Sequence, residues 1–180
     1  WVSGLAVVLK SQEAIEKMRR AGQVVREVLE LVRGLVKPGV TTFDLEKAAE
    51  ARLKELGVKA AFKGYHGYPC VLCTSVNSEV VHGIPSPKRV LHEGDVVSVD
   101  FGVVVDGYYG DAAITVPVGR IDAERARLLK VTEASLHAGI AAVKPGATLG
   151  DVGAAVQSVV EAEGFSVVRE FVGHGIGRSM

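Results

Sequence analysis

The sequence has no excess of charge of either sign, few cysteines and no long apolar run. Its 21 lysines and arginines balance 21 aspartates and glutamates in 180 residues, and this neutrality argues against a nucleic-acid-binding surface, which needs a basic excess. No apolar stretch approaches the ~20 residues of a membrane-spanning helix. Residues 4–9 are too short for a signal peptide and lack its basic flank, so they favour a strand. We therefore expect a cytoplasmic protein with no nucleic-acid or membrane partner.

The two cysteines, Cys70 and Cys73, are too few for a structural zinc site, which needs four ligands. A redox Cys-x-x-Cys pair opens a helix, whereas the neighbours of this pair are typical of a strand. We interpret both cysteines as small buried hydrophobes. With 48% hydrophobic residues the chain has ample apolar content for the core of a single domain.

A β-hairpin is predicted for residues 97–111. Asp106 and Gly107 separate two β-branched runs there, and an Asp-Gly pair in this setting favours a two-residue type I′ loop. Such a loop pairs Val105 with Tyr108 and fixes the register of every residue behind them.

The predicted register brings two acidic residues to the same face of the hairpin. Asp111 lies opposite Gly102, two residues along the strand from Asp100, so the two carboxylates are diagonal neighbours ~7–8 Å apart at Cα. Side-by-side carboxylates repel each other unless they share a proton or a cation. We interpret Gly102 as leaving room for that group and the hairpin as half of a metal site.

Helical patterns occupy much of the remaining chain, and part of the pattern occurs twice. Helices are predicted after the capping Ser11, over residues 43–56 and over residues 122–143. Lys37-Pro-Gly returns as Lys144-Pro-Gly (144 − 37 = 107), and flanking apolar, Thr, Asp and Gly positions recur at the same offset. We therefore predict a duplicated α+β unit.

The duplication also predicts that the second half is incomplete. Shifting Asp100 and Asp111 by the same offset leads to positions 207 and 218, beyond Met180. We therefore expect the sequence to be cut short, with the counterpart of the acidic hairpin missing.

Two histidines stand in unusual local sequences. His82 opens a His-Gly-Ile-Pro motif at residues 82–85, and His174 lies between two glycines in Gly-His-Gly-Ile-Gly-Arg at residues 173–178. Taken alone, each feature has a plain structural interpretation: an exposed loop histidine, a glycine-rich turn and, for the aspartates, a hydrogen-bonded turn. Their combination and order are more specific.

Together these motifs resemble the type I methionine aminopeptidases, and the resemblance runs from Ser11 to Met180. It implies an α+β pita-bread fold, in which duplicated α+β halves surround a curved antiparallel sheet. The chain would be a single catalytic domain, with a first half of about residues 11–118 and an incomplete second half of about residues 119–180. The implied activity is removal of the initiator methionine from nascent polypeptides at the ribosome, by a monomeric protein.

The resemblance also assigns roles to individual residues. It implies two divalent ions (cobalt, manganese, iron(II) or zinc), with Asp100 as a ligand of the first, Asp111 as the bridge between them and His174 as a ligand of the second. His82 is similar to the catalytic histidine that contacts the scissile peptide. The pocket for the methionine side chain would be lined by Tyr65, His66, Tyr68 and Met180.

The sequence departs from the family pattern in several places. Two further glutamate ligands and a second histidine directly after the position of Met180 are not present, and Tyr109 stands where histidine is common. Because only three metal-binding side chains remain, we expect this 180-residue chain to be inactive. Two alternatives stay open: a non-catalytic pita-bread binding module, and a related metallopeptidase such as a prolidase or aminopeptidase P.

Overall fold

The computed structural model describes residues 9–180, so the strand predicted for residues 4–9 lies outside the described residues except for Leu9. Residues 9–119 and the returning segment His174–Met180 form one compact unit, and Arg120–Gly173 form a second. Within the described residues, no helix is long and apolar enough to cross a membrane.

Two capped helices open the first unit. Helix α1 (Gln12–Leu35) begins after Ser11, whose hydroxyl accepts a hydrogen bond from the Ala14 amide at 3.1 Å. Helix α2 (Thr42–Leu56) begins after Thr41 and ends at a left-handed glycine. Both starts satisfy amide groups that have no partner inside the helix. The predicted helix starts are therefore confirmed within one residue.

Four antiparallel strands form the sheet of the first unit. Strand β3 (Val96–Val105) is central: β1 (Lys59–Ala60) and β2 (Leu72–Val76) pair with one of its edges and β4 (Tyr108–Pro117) pairs with the other. The loop between β3 and β4 has positive φ at both central residues, 50° and 76°, as a type I′ turn requires. The predicted hairpin register is confirmed, including the pairing of Gly102 with Asp111.

The two faces of the sheet have different chemistry because side chains alternate along each strand. One face carries fully buried β3 side chains that pack in a core with helices α1 and α2: Val97, Val99, Phe101 and Val103. A Cβ added to Gly110 would lie 2.7 Å from the backbone carbon of Ala21, so β4 touches the backbone of α1. The opposite face carries Asp100 and Asp111, and we call it the acidic face.

The second unit is a pair of helices. Helix α3 (Ala123–Ala142) begins after Asp122, and α4 (Leu149–Ala162) begins after Thr148. The helices pack closely at Gly139, where an added Cβ would lie 2.9 Å from a methyl carbon of Val156. The helix predicted for residues 122–143 is confirmed, with its two outer residues serving as caps.

The sequence repeat is also a repeat of backbone conformation. Each copy contains a left-handed glycine, then a capping box at the start of a helix, then a second left-handed glycine. The matched positions are Gly39 and Gly146 (φ 88° and 87°), Thr41 and Thr148, Asp44 and Asp151, and Gly57 and Gly164. The division into halves of about residues 11–118 and 119–180 stays a prediction.

The repeated caps predict matched effects on stability. Thr41→Ala and Thr148→Ala should each lower the free energy of unfolding by about 1 kcal/mol in urea titrations, because an amide loses its acceptor. Thr132→Ala is the control: its hydroxyl donates to the carbonyl of Leu128 inside α3, so alanine should be neutral or slightly stabilising. Equal losses in all three variants would contradict the capping interpretation.

Candidate functional site

Asp100 and Asp111 are neighbouring carboxyl groups on the acidic face, close enough to influence each other's pKa. Asp111 has a side-chain exposure of 15%, so water screens the pair only partly. Burial, and then the negative charge of Asp111, raise the pKa of Asp100 to about 7. Burial also raises the pKa of Asp111. Both carboxyl groups therefore favour the protonated form more than a free aspartate does, and Asp100 retains its proton up to about pH 7.

His174 completes the polar group. Its Nε2 atom lies 3.5 Å from Oδ2 of Asp111, and its positive charge when protonated lowers the pKa of that carboxyl against the effect of burial. The imidazole is 55% exposed. The structure thus brings together three residues from two adjacent strands and a distant segment, which the sequence separates by 74 residues (174 − 100).

The space beside Gly102 is not available to a bound ion. An added Cβ would lie 2.6 Å from Cε1 of Phe62 and 3.0 Å from Cβ of Ala61. The interpretation that Gly102 leaves room for a cation is therefore wrong. The glycine instead lets the Phe62 ring approach strand β3 closely at Gly102, the residue paired with Asp111.

An apolar cluster lies next to the carboxyl pair on the acidic face. Its best-buried members are Ala61, Phe62 and Cys73, and we call it the Phe62 cluster. Cys73 is paired with Asp100 across β2 and β3, so apolar and acidic groups share a boundary. The partly buried members are Tyr68, Val104, Tyr109 and Met180.

Two of the four predicted pocket residues belong to this cluster. Tyr68 and Met180 pack against it, and the Tyr68 hydroxyl donates to the carbonyls of Leu72 at 2.8 Å and Gly83 at 3.1 Å. Burial raises the pKa of Tyr68 above its usual range, so the phenol stays neutral. The Tyr68 ring can therefore contact an apolar group while its hydroxyl keeps its hydrogen bonds to the two carbonyls.

The other two predicted pocket residues lie on a neighbouring exposed turn. Tyr65 and His66 open the 3-10 turn Tyr65–Gly67, with ring centroids 4.3 Å apart. The Tyr65 amide donates to the carbonyl of Phe62 at 2.9 Å, so the turn follows directly from the Phe62 cluster. His66 has φ of 46°, a strained left-handed conformation for a non-glycine residue.

His82 lies on the loop beside β2, also in the left-handed region, at φ 60°. The loop is held by Gly83, whose carbonyl accepts from the Thr74 amide at 2.8 Å and whose own amide donates to the Ser75 hydroxyl at 3.1 Å. A Cβ on Gly83 would lie 2.2 Å from the Thr74 carbonyl oxygen. Only glycine fits there, and it fixes the backbone next to His82.

The donor chemistry suits a divalent cation, but the arrangement is incomplete. Two carboxylates that repel each other and one imidazole are the ligands preferred by ions such as manganese or iron(II). Across residues 9–180, however, no group of three or more His, Cys, Asp or Glu side chains is arranged to hold a metal ion. The case for a bound divalent cation therefore rests on the carboxyl pair, which needs a proton or a cation between its two members.

Sequence reasoning missed Phe62 and the position of Cys73. Both cysteines are buried and unbridged, as predicted for small hydrophobes, but Cys73 also packs in the cluster beside Asp100. Strand alternation on β2 could have indicated which face Cys73 occupies once the pairing with β3 was known. No local signal places Phe62 on Gly102, because that contact joins residues 40 apart in the sequence (102 − 62).

The raised pKa of Asp100 predicts that stability falls as pH rises. A group whose pKa is raised on folding stabilises the folded state fully below its unfolded pKa, near 4, and this contribution is lost as pH rises through about 7. In EDTA, the unfolding free energy of the chain should therefore drop between pH 4 and 7 relative to Asp100→Asn, by on the order of 2 kcal/mol.

Urea unfolding of both proteins at several pH values measures this difference, and the variant serves as the control because its amide cannot ionise. A difference that stays constant from pH 4 to 7.5 would show that Asp100 titrates normally.

Comparison with known proteins identifies relatives that cover nearly all of the chain. Residues 16–180 match the metallopeptidase family M24. The methionine aminopeptidase of Clostridium acetobutylicum is 48% identical over 174 residues, which are 97% of this chain and 70% of that protein. The chain thus spans about 70% of the length of this curated relative.

Solved structures give the same result for the fold. A methionine aminopeptidase from Thermotoga maritima matches with a TM-score of 0.94 at 47% identity, covering 96% of this chain and 70% of that chain. A prolidase from Pyrococcus furiosus matches with a TM-score of 0.84 at 20% identity, covering 96% of this chain and 50% of that chain. The second likeness shows a shared fold alone.

Proposed function

The chain belongs to metallopeptidase family M24, and from this membership we propose that it is a methionine aminopeptidase, which hydrolyses the first peptide bond of a polypeptide and releases the amino-terminal methionine. Its fold is the α+β pita-bread fold of the methionine aminopeptidases that it matches. The identity of 48% to a methionine aminopeptidase, against 20% to a prolidase, favours the former over the related metallopeptidases.

The observation that carries the proposal is the carboxyl pair beside an apolar cluster. Asp100 and Asp111 are neighbours on a partly buried face that raises the pKa of both carboxyl groups, and His174 approaches Asp111. The Phe62 cluster borders the same pair through the pairing of Cys73 with Asp100. A hydrolytic centre next to a pocket for one apolar side chain is the minimum that this reaction needs.

Asp100, Asp111 and His174 are the residues that would hold divalent ions. The chemistry supplied by such ions is polarisation of the scissile carbonyl and generation of a nucleophilic water at neutral pH. Asp100 must release its proton before its carboxylate can bind a cation, so metal binding should compete with protonation below about pH 7. The proposed site holds two divalent ions, which would be manganese, cobalt, iron(II) or zinc.

The Phe62 cluster would receive the methionine side chain. Methionine is unbranched, and its sulfur makes favourable contacts with aromatic rings, which Phe62 and Tyr68 could supply. Met180 would close the pocket on the side of the returning segment, since it packs against the same cluster. Tyr65 and His66 would contact the substrate from the adjoining turn.

His82 would contact the peptide bond that is cut. Its loop is fixed beside β2 through Gly83, so the imidazole could donate a hydrogen bond to the scissile carbonyl oxygen without reordering the backbone. The substrates would be the amino termini of nascent polypeptides. A monomeric enzyme would bind them at the ribosome, in the cytoplasm.

We expect the 180-residue chain itself to release no methionine from Met-Ala-Ser in the presence of Mn(II) or Co(II). An octahedral ion prefers about six ligands, and three side chains are too few for two ions. Fusing the chain to the residues of the Thermotoga maritima relative beyond the match should restore release, measured as free methionine. Asp111→Asn in the fusion is the inactive control.

Three outcomes would change the account. Robust turnover by the 180-residue chain would show that three side chains suffice. A folded fusion that binds Mn(II) but cleaves nothing would favour a binding module. Cleavage of Xaa-Pro peptides in preference to Met-Ala-Ser would favour the prolidase class.

A further inference from the structure

The segment His174–Met180, which we call the clasp, is attached to the exposed edge of strand β4. The amide of Tyr109 donates to the carbonyl of Gly177 at 2.8 Å, a hydrogen bond of the kind that joins neighbouring strands. The amide of Gly177 donates to the carbonyl of Ser179 at 3.1 Å, so the chain turns tightly around Arg178. Gly177 is buried, and it is the point at which the clasp meets the sheet.

The clasp contacts both faces of the sheet from this point. Met180 packs in the Phe62 cluster with Tyr109, on the acidic face. The guanidinium of Arg178 lies 4.8 Å from the ring centroid of Tyr108, whose side chain alternates to the face that packs on α1. Arg178 and Met180, which both follow Gly177, thus contact β4 from opposite faces.

The Tyr108 ring that Arg178 contacts is buried and held in place by its neighbours. Only 7% of Tyr108 is exposed although it borders the hairpin loop. Lys17 of α1 lies 5.9 Å from the centroid of the same ring, and its ammonium is bonded to Glu13 at 2.6 Å. A planar cation stacked on a buried aromatic ring loses little rotamer freedom when it binds, so this contact is favourable.

His174 needs such an anchor because its own segment is intrinsically loose. Glycines flank it on both sides, and a Cβ added to Gly173 or Gly175 would meet nothing within 4 Å. Glycine loses more conformational freedom on ordering than any other residue. On the C-terminal side of the imidazole, the clasp is held on β4 by the contacts of Gly177, Arg178 and Met180.

We propose that Arg178 is a positioning residue for the metal ligand His174: its contact with Tyr108 locks the clasp onto β4 and thereby holds the imidazole at Asp111. This inference depends on the proposed function in one respect only, namely that His174 is a metal ligand. The placement of His174 by Arg178 can be tested in the 180-residue chain without activity and without metal.

The test compares Arg178→Gln with the unchanged chain by two NMR measurements. Hydrogen exchange of the Tyr109 amide reports whether the clasp is attached, since that amide donates to Gly177. The effect of Asp111→Asn on the His174 ring signals, assigned with His174→Ala, reports whether the imidazole contacts the carboxylate. In Arg178→Gln we expect Tyr109 to exchange about tenfold faster, a change of the size that loss of one cation–π contact produces, and the ring signals to lose their response to Asp111→Asn.

Two further variants make the result specific. Arg127 stacks on Phe165 at 4.3 Å in the second unit, so Arg127→Gln removes the same kind of contact elsewhere and should alter neither measurement. Arg178→Lys keeps the charge and should recover part of both, because lysine binds aromatic faces less well than arginine.

The proposal is overturned if the His174 ring signals respond to Asp111→Asn as strongly in Arg178→Gln as in the unchanged chain, whether or not Tyr109 exchanges faster. Mn(II) titration of the fusion described above then tests two claims separately: that Arg178 positions His174, and that His174 is a metal ligand. Weakening of Mn(II) binding by about three- to tenfold in Arg178→Gln supports both claims. A fusion that binds no Mn(II), while the His174 signals still depend on Arg178, contradicts the proposed function and leaves the positioning role established.

Discussion

The structure depends on one electrostatic constraint: two carboxyl groups are held on the same face of a rigid hairpin, where they cannot both be ionised at low cost. The type I′ loop fixes the register, and the register puts Asp111 diagonal to Asp100. Burial removes the water that would otherwise screen them, so the pair retains a proton to about pH 7. A cation that replaces this proton relieves the repulsion, and the proposed hydrolytic function would depend on that exchange.

The other features of the first unit support that pair. The opposite face of the hairpin is anchored by fully buried apolar side chains against α1 and α2, so the acidic residues cannot relax apart by strand movement. Glu46 of α2 fixes the start of β2 by accepting from the amides of Val71 and Leu72 at 2.7 and 2.9 Å. Phe62 fills the space over Gly102, and this lowers the local polarity on the side where the methionine side chain would bind.

Local chemistry made much of this predictable. Asp106 and Gly107 determine the loop and therefore the shared face of the acidic pair, and Ser11, Thr41 and Asp122 mark helix starts because each can cap one. Contacts made over long sequence distances were not predictable: neither the Phe62 ring on Gly102 nor the buried carboxylate of Glu46 has a local signature. A glycine read alone suggests space, whereas here an aromatic ring from a distant loop occupies that space.

The most direct test is a pH titration of the aspartate carboxyl groups followed by carbon-13 NMR. It is done first in EDTA and then with Zn(II), a diamagnetic divalent ion. We predict that the Asp100 carboxyl titrates near pH 7 in EDTA and that its titration moves to lower pH when Zn(II) is added. Asp111→Asn should remove only part of the upward shift, because burial is its larger cause. Two carboxyl groups that each titrate near pH 4, with or without Zn(II), would contradict the central claim that the pair must share a proton or a cation.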